Sequence, residues 1–135
     1  MNVLQLLLSD EINIEKPSKL HKIKRLSNEE HDFTLTLVTI TLNDIKRLRD
    51  LYNKNGEFDE IGFLLAIVCY GTQEFDNRID ENKEPLKELC KMHKVKTNVE
   101  LVNKIFLPNE IKDIANEIME LSGDEEEKIE EVKGL

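Results

Sequence analysis

The sequence predicts an α+β fold, mostly helical, with an N-terminal β-hairpin packed on a bundle of about five to six short helices. Three observations carry that prediction. Residues 33–40 alternate Phe33, Leu35 and Leu37 against Thr34, Thr36 and Val38, the period of a half-buried strand. Thr41-Leu42-Asn43-Asp44 and Thr97-Asn98-Val99-Glu100 each read as a capping box opening a helix with an apolar stripe. Residues 102–123, VNKIFLPNEIKDIANEIMELSG, join two helices through a Pro-Asn break and stop at a glycine.

Taken in order, residues 2–9 form a short helix with Val3, Leu4, Leu7 and Leu8 as a docking face. A polar connection containing Pro17 leads into a basic strand over residues 19–26, whose lysines suit a sheet edge. The exposed turn over residues 27–32 makes an antiparallel hairpin the natural pairing with residues 33–40. A hairpin alone is marginal in water, so one face must lie on helices. Ile40 and Ile45 occupy hydrophobic-staple positions around the Thr41 cap, and Ile45, Leu48, Leu51 and Tyr52 form the buried stripe that Asn55-Gly56 ends.

Residues 59–70, DEIGFLLAIVCY, are apolar on nearly every side and predict the central, most buried helix, closed by Gly71. Residues 72–83 read as a mobile, polar, acidic loop. Pro85 fits the first turn of a helix carrying Leu86, Leu89, Cys90 and His93. In the last helix Ile111, Ile114, Ala115 and Ile118 fall at i, i+3, i+4 and i+7, with Met119 and Leu121 flanking the stripe. The organisation expected is one globular domain over residues 1–123 and an acidic C-terminal tail over residues 124–135, DEEEKIEEVKGL.

The chain has 135 residues, a formal net charge of −9 and a pI near 4.9. Such a surface repels phosphate backbones and argues against nucleic acid as a partner. No apolar run approaches the ~20 residues that span a bilayer. The N-terminus lacks the leading basic residues and small-residue cleavage site of a signal peptide. Two cysteines without a Cys-x-x-Cys motif fit reduced thiols in a cytoplasmic protein.

Chemical equipment is sparse. Cys90 and His93 sit three apart on one predicted helix, but closing a zinc site needs further ligands, and Cys69, His21 and His31 are each alone in their segments. Lys87, Lys91 and Lys94 are the one influence that would lower the Cys90 thiol pKa. There is no Gly-x-Ser-x-Gly and no glycine-rich phosphate loop. The expectation is a non-enzymatic protein with no catalytic residue, cofactor or metal.

The order of elements carries a resemblance. A short LQ-L-L-L helix precedes a basic strand, a strand running into a Thr-Leu-capped helix (TLVTITLNDIKRLRDLYNK), a buried helix ending Cys-Tyr (GFLLAIVCYG), a polar acidic loop and VNKIFLPNEIKDIANEIMELSG. This progression resembles the tail assembly chaperones of PBSX-like defective prophages and related long-tailed phages. The likeness is greatest over residues 104–123, where Phe106-Leu107-Pro108-Asn109-Glu110 fills the family's Leu-Leu-Pro-Gly-Glu-like break and Leu121-Ser122-Gly123 its stop. Asn109 departs from the glycine common there, and Thr72-Gln73-Glu74-Phe75-Asp76 replaces a Pro-Asp-Leu-like loop start.

The resemblance implies an assembly factor that binds and shields the long, helical tape measure protein while tail tube subunits polymerise, acts in the cytoplasm of the bacterial host and is absent from the mature particle. Its implied partners are the tape measure protein and, secondarily, the tail tube protein. The C-terminal helices are the candidate contact surface, with Ile105, Phe106, Ile111, Ile114, Ile118 and Met119 as anchors; the same residues also suit an intramolecular core. An apolar stripe of this kind is compatible with a homo-oligomer. The competing reading is a small acidic regulator that inhibits a basic partner by charge mimicry, with salt-sensitive binding.

Overall fold

The computed structural model describes residues 2–123. The chain runs α1 (Val3–Leu8), β1 (Ser18–Lys22), β2 (Thr34–Val38), α2 (Leu42–Leu51), β3 (Asn53–Lys54), β4 (Glu57–Phe58), α3 (Glu60–Gly71), α4 (Asp80–His93), α5 (Asn98–Ile105) and α6 (Pro108–Leu121). This is the α+β, mostly helical architecture that the sequence predicts. The acidic tail expected over residues 124–135 lies outside the described residues.

At the centre, α3 buries Phe63, Leu65, Ala66, Ile67, Val68 and Cys69, so side chains on every face of the helix must be covered. It packs against α2, α5 and α6. The α3–α6 crossing is especially close: a Cβ built on Gly71 would lie 2.3 Å from Ile118 Cγ2. Gly71 closes the helix as the sequence predicts, and it has a packing role as well. It is the last residue of the helix itself, and its missing side chain is the space that Ile118 fills.

β1 and β2 pair antiparallel, with Lys19 opposite Leu37 and His21 opposite Leu35. Directly paired residues share a face, so the two basic side chains lie on the side of the buried Leu35 and Leu37, and the exposed Leu20 on the other. On that inner side Lys19 Nζ and His21 Nδ1 both donate to the Glu117 carboxylate of α6, Lys19 at 3.1 Å. The predicted first strand stops short: residues Lys24–Leu26 form a 3₁₀ turn, and Arg25 reaches the α5–α6 joint. There its guanidinium donates to both Glu110 oxygens and to the Ile105 carbonyl.

Four other local expectations are corrected. Residues 72–79 are held in place: Gln73 N–H donates to the Thr36 carbonyl at 2.9 Å, Glu74 accepts from Thr36 N–H at 2.8 Å, and Thr72 and Phe75 are buried. This segment covers the outer edge of β2, leaving β1 as the free edge. Asn55-Gly56 does not cap α2; both residues have positive φ, 55° and 78°, and form the two-residue turn between β3 and β4 for which Asn-Gly is the preferred pair. Leu51 lies exposed instead of in the buried stripe. Helix α4 begins at Asp80, so Pro85 sits inside it and removes the amide that would bond the Glu81 carbonyl.

The fourth correction concerns α1. It forms where predicted, with Asn2 and Gln5 side chains bonding reciprocally to each other's backbone amides. Its expected docking face does not dock: Val3, Leu4, Leu7 and Leu8 are all exposed. The caps at Thr41 and Thr97 accept from Asp44 and Glu100 amides as expected, both at 3.2 Å. Neither carboxylate returns to its cap. Asp44 pairs with Arg47 and Arg78, and Glu100 accepts from Lys96 N–H.

Two of these contacts can be tested by stability measurements. Gly71→Ala, measured by denaturant unfolding, is expected to lower stability by about 1–3 kcal/mol through overpacking, with part of the loss recovered by Ile118→Ala in the same background. The second test concerns pH. The hydrogen bond from Arg25, opposed by desolvation, holds the Glu110 carboxyl below its ordinary value. Partial burial pushes the Glu117 carboxyl up, but the hydrogen bonds from Lys19 and His21 outweigh it and the net is again a lowering. A carboxylate lowered on folding contributes stability above its unfolded value, and that contribution is lost as pH falls through the folded value. Thermal midpoints should therefore drop as pH falls below the ordinary carboxylate value of 4.5. In the Glu110→Gln, Glu117→Gln double variant that drop should be shallower.

Candidate functional site

The six candidate anchors on the C-terminal helices divide into two groups. Phe106, Ile111, Ile114 and Ile118 are core residues, with Ile114 and Ile118 completely enclosed. Phe106 holds an edge-to-face contact with Phe33 at 6.0 Å between ring centroids and another with Phe75 at 5.6 Å. Ile105 and Met119 are half-buried at the margin of that core and keep accessible surface. The stripe is therefore mainly how α5 and α6 hold themselves to α3, and only its rim and neighbours such as Leu107 stay accessible.

Two surface features go beyond the sequence reading, which took the α1 side chains as docked and did not foresee a groove. The first is the exposed apolar set on α1 and the connection after it, Val3, Leu4, Leu7, Leu8, Ile12 and Ile14. The second is a groove of about 700 Å³ between α4 and α5, floored by Leu86, Cys90 and Val95. Lys83, Lys87, Lys91 and Lys96 stand around it, against Glu84 and Glu88. The available signal was Lys83, Lys87 and Lys91 at i, i+4 and i+8, which places three cations on one helical face of an otherwise acidic protein.

A third cluster is structural. Arg78 donates to Asp76 and Asp44 at 2.9 and 3.1 Å while lying over the Tyr70 ring, 4.2 Å from its centroid. Those hydrogen bonds hold the guanidinium above its already high ordinary pKa. The arrangement fastens the 72–79 segment to α2 and α3 and consumes its own charges.

Among the described residues, no group of three or more His, Cys, Asp or Glu side chains gathers where it could hold a metal ion. No helix among them is long and apolar enough to cross a membrane. Burial pushes the Cys69 thiol up to about 12. The Cys90 thiol is also raised, by desolvation first and by Glu100 second, which fits an inert, semi-buried thiol and not one activated by the neighbouring lysines. Its sulfur faces the Thr97 carbonyl at 3.8 Å. Iodoacetamide at neutral pH, followed by mass spectrometry, should modify Cys90 more slowly than a free model thiol and leave Cys69 untouched until the chain unfolds.

Comparison with known proteins places this geometry in a family. The fold is similar to the crystal structure of the protein yqbn, a Northeast Structural Genomics Consortium target, with a TM-score of 0.57 over 78% of this chain and 86% of that one. At 19% identity, this likeness concerns the fold alone. A comparison with curated proteins finds no match. A family model described as phage XkdN-like tail assembly chaperone protein matches residues 4–133, nearly the whole chain. The chain belongs to the XkdN-like family of phage tail assembly chaperones.

Proposed function

We propose that this protein binds and shields the tape measure protein while the tail tube is assembled, working by contact alone, in the host cytoplasm and outside the finished particle. The observation that carries the reading is the family match over residues 4–133. The physics supports it. A tape measure protein presents long apolar helices before tube subunits enclose them, and a compact acidic domain with accessible apolar side chains can cover such helices reversibly and keep them in solution. A net charge of −9 favours solubility of the chain itself.

Within the C-terminal unit, the contact falls on Ile105 and Met119, which stay partly accessible while the remaining candidates sustain the core. Methionine adapts to varied apolar partners, which suits a surface meeting a repetitive helix at several registers. The test is co-expression with the tape measure protein of the same tail gene cluster, scored as the soluble fraction of the latter. The wild-type chain should keep it soluble. Ile105→Asp with Met119→Asp should fold, as checked by circular dichroism, yet lose capture. Ile114→Asp should instead lose the fold, because it places a charge at a fully enclosed position. Intact capture by the folded Ile105, Met119 double variant would put the contact elsewhere.

A further inference from the structure

We infer that the N-terminal arm, residues 2–17, docks in the lysine-rimmed α4–α5 groove of a second copy of this chain. Most side chains of the arm are exposed with respect to the other described residues. Among those residues its side-chain hydrogen bonds are local: Asn2 with Gln5, Ser9 with Leu6, Glu11 with Ser9 and Glu15 with Asn13. A helix of six residues is too short to persist in water by itself. Leu4, Leu7 and Leu8 nevertheless stand at i, i+3 and i+4, the spacing with which a short helix enters a groove. Leu8 is 84% exposed and Ile14 74%.

The groove complements the arm in both shape and charge. Its apolar floor of Leu86, Cys90 and Val95 suits the leucines, and its rim carries four lysines against two glutamates. Lys91 and Lys96 have no carboxylate partner for their ammonium groups among the described residues, whereas Lys83 is paired with Asp80. The arm supplies Asp10, Glu11 and Glu15 against a single Lys16, directly after its leucines. A second groove, beside Phe33 and Leu89, is rimmed by Asp32 and Glu74 and has the wrong sign for that segment.

A second copy is the occupant, since within its own chain the arm leaves Leu4, Leu7 and Leu8 exposed and lines no part of the groove. The arm leaves the body at β1, which packs on β2 and α6, while the groove is formed by α4 and α5. Reciprocal exchange between two copies places both arms in both grooves and closes at a dimer. This self-association is separate from tape measure binding at the C-terminal rim and stands or falls independently.

Two measurements test it on the full chain. Sedimentation should show concentration-dependent association that Leu4→Asp with Leu7→Asp weakens by at least about tenfold. Lys87→Glu with Lys91→Glu should weaken it as well. All four positions are exposed, so circular dichroism should be unchanged. In the second measurement a Leu8→Cys, Cys90→Ala chain is mixed with the wild-type chain and treated with a short bismaleimide. A cross-link joining the thiol introduced at position 8 of one chain to Cys90 of the other supports the exchange. A chain that remains monomeric at the highest soluble concentration and gives no inter-chain product overturns the inference. So does a Leu8→Cys chain that cross-links only to its own Cys90, which would put the arm in its own groove.

Discussion

Helix α3 has no polar face to turn toward water, and α2, α5 and α6 are placed by the need to cover it. Eight of its residues, from Gly62 to Gly71, are buried. A helix apolar all round gains nothing from amphipathic positioning and must be enclosed by neighbours on several sides. Helices α2, α5 and α6 supply three of those sides. The closest approach is to α6, where Gly71 gives its side-chain volume to Ile118. The regular i, i+3, i+4, i+7 stripe of α6 is the mating surface of that contact, which is why its isoleucines are spent inside the molecule.

The sheet is attached by a different kind of force. β2 turns Leu35 and Leu37 into the core, but the residues of β1 facing the same way are Lys19 and His21. Their seat against α6 is Glu117, and a few residues on Arg25 is held by Glu110 at the start of the same helix. The basic character of the strand therefore serves both as edge protection, since β1 is the uncovered edge, and as the means of fastening the hairpin to an acidic helix. Charge that looks like a binding signal in the sequence is largely used internally here. The lysines of α4 are the contrasting case, because their face opens onto a groove.

Much of this architecture is legible in the residues, and the failures have physical causes. Caps at Thr41 and Thr97, the alternation of residues 33–38 and the period of α6 are local signals, and local geometry sustains them. The 72–79 segment reads as a loose loop because what holds it is distant in sequence: Phe75 packs on Phe106, and Gln73 and Glu74 bond to Thr36 of β2. Asn55-Gly56 has two physical meanings, helix stop and hairpin turn, and only pairing of Asn53 with Phe58 decides between them. For the anchors on α5 and α6, spacing identifies an apolar face without saying what covers it. Tertiary packing assigns Phe106, Ile111, Ile114 and Ile118 to the core and leaves Ile105 and Met119 at its rim.

Membership of a tail assembly chaperone family makes partner identity the decisive question. The most direct measurement is affinity capture of the tagged protein from cells producing tails, eluted across a salt gradient and identified by mass spectrometry. Shielding of apolar helices predicts a very long helical tail protein that stays bound at high salt, because apolar contacts are not screened. Recovery instead of a small basic protein released at moderate salt would contradict the account and favour inhibition by charge mimicry.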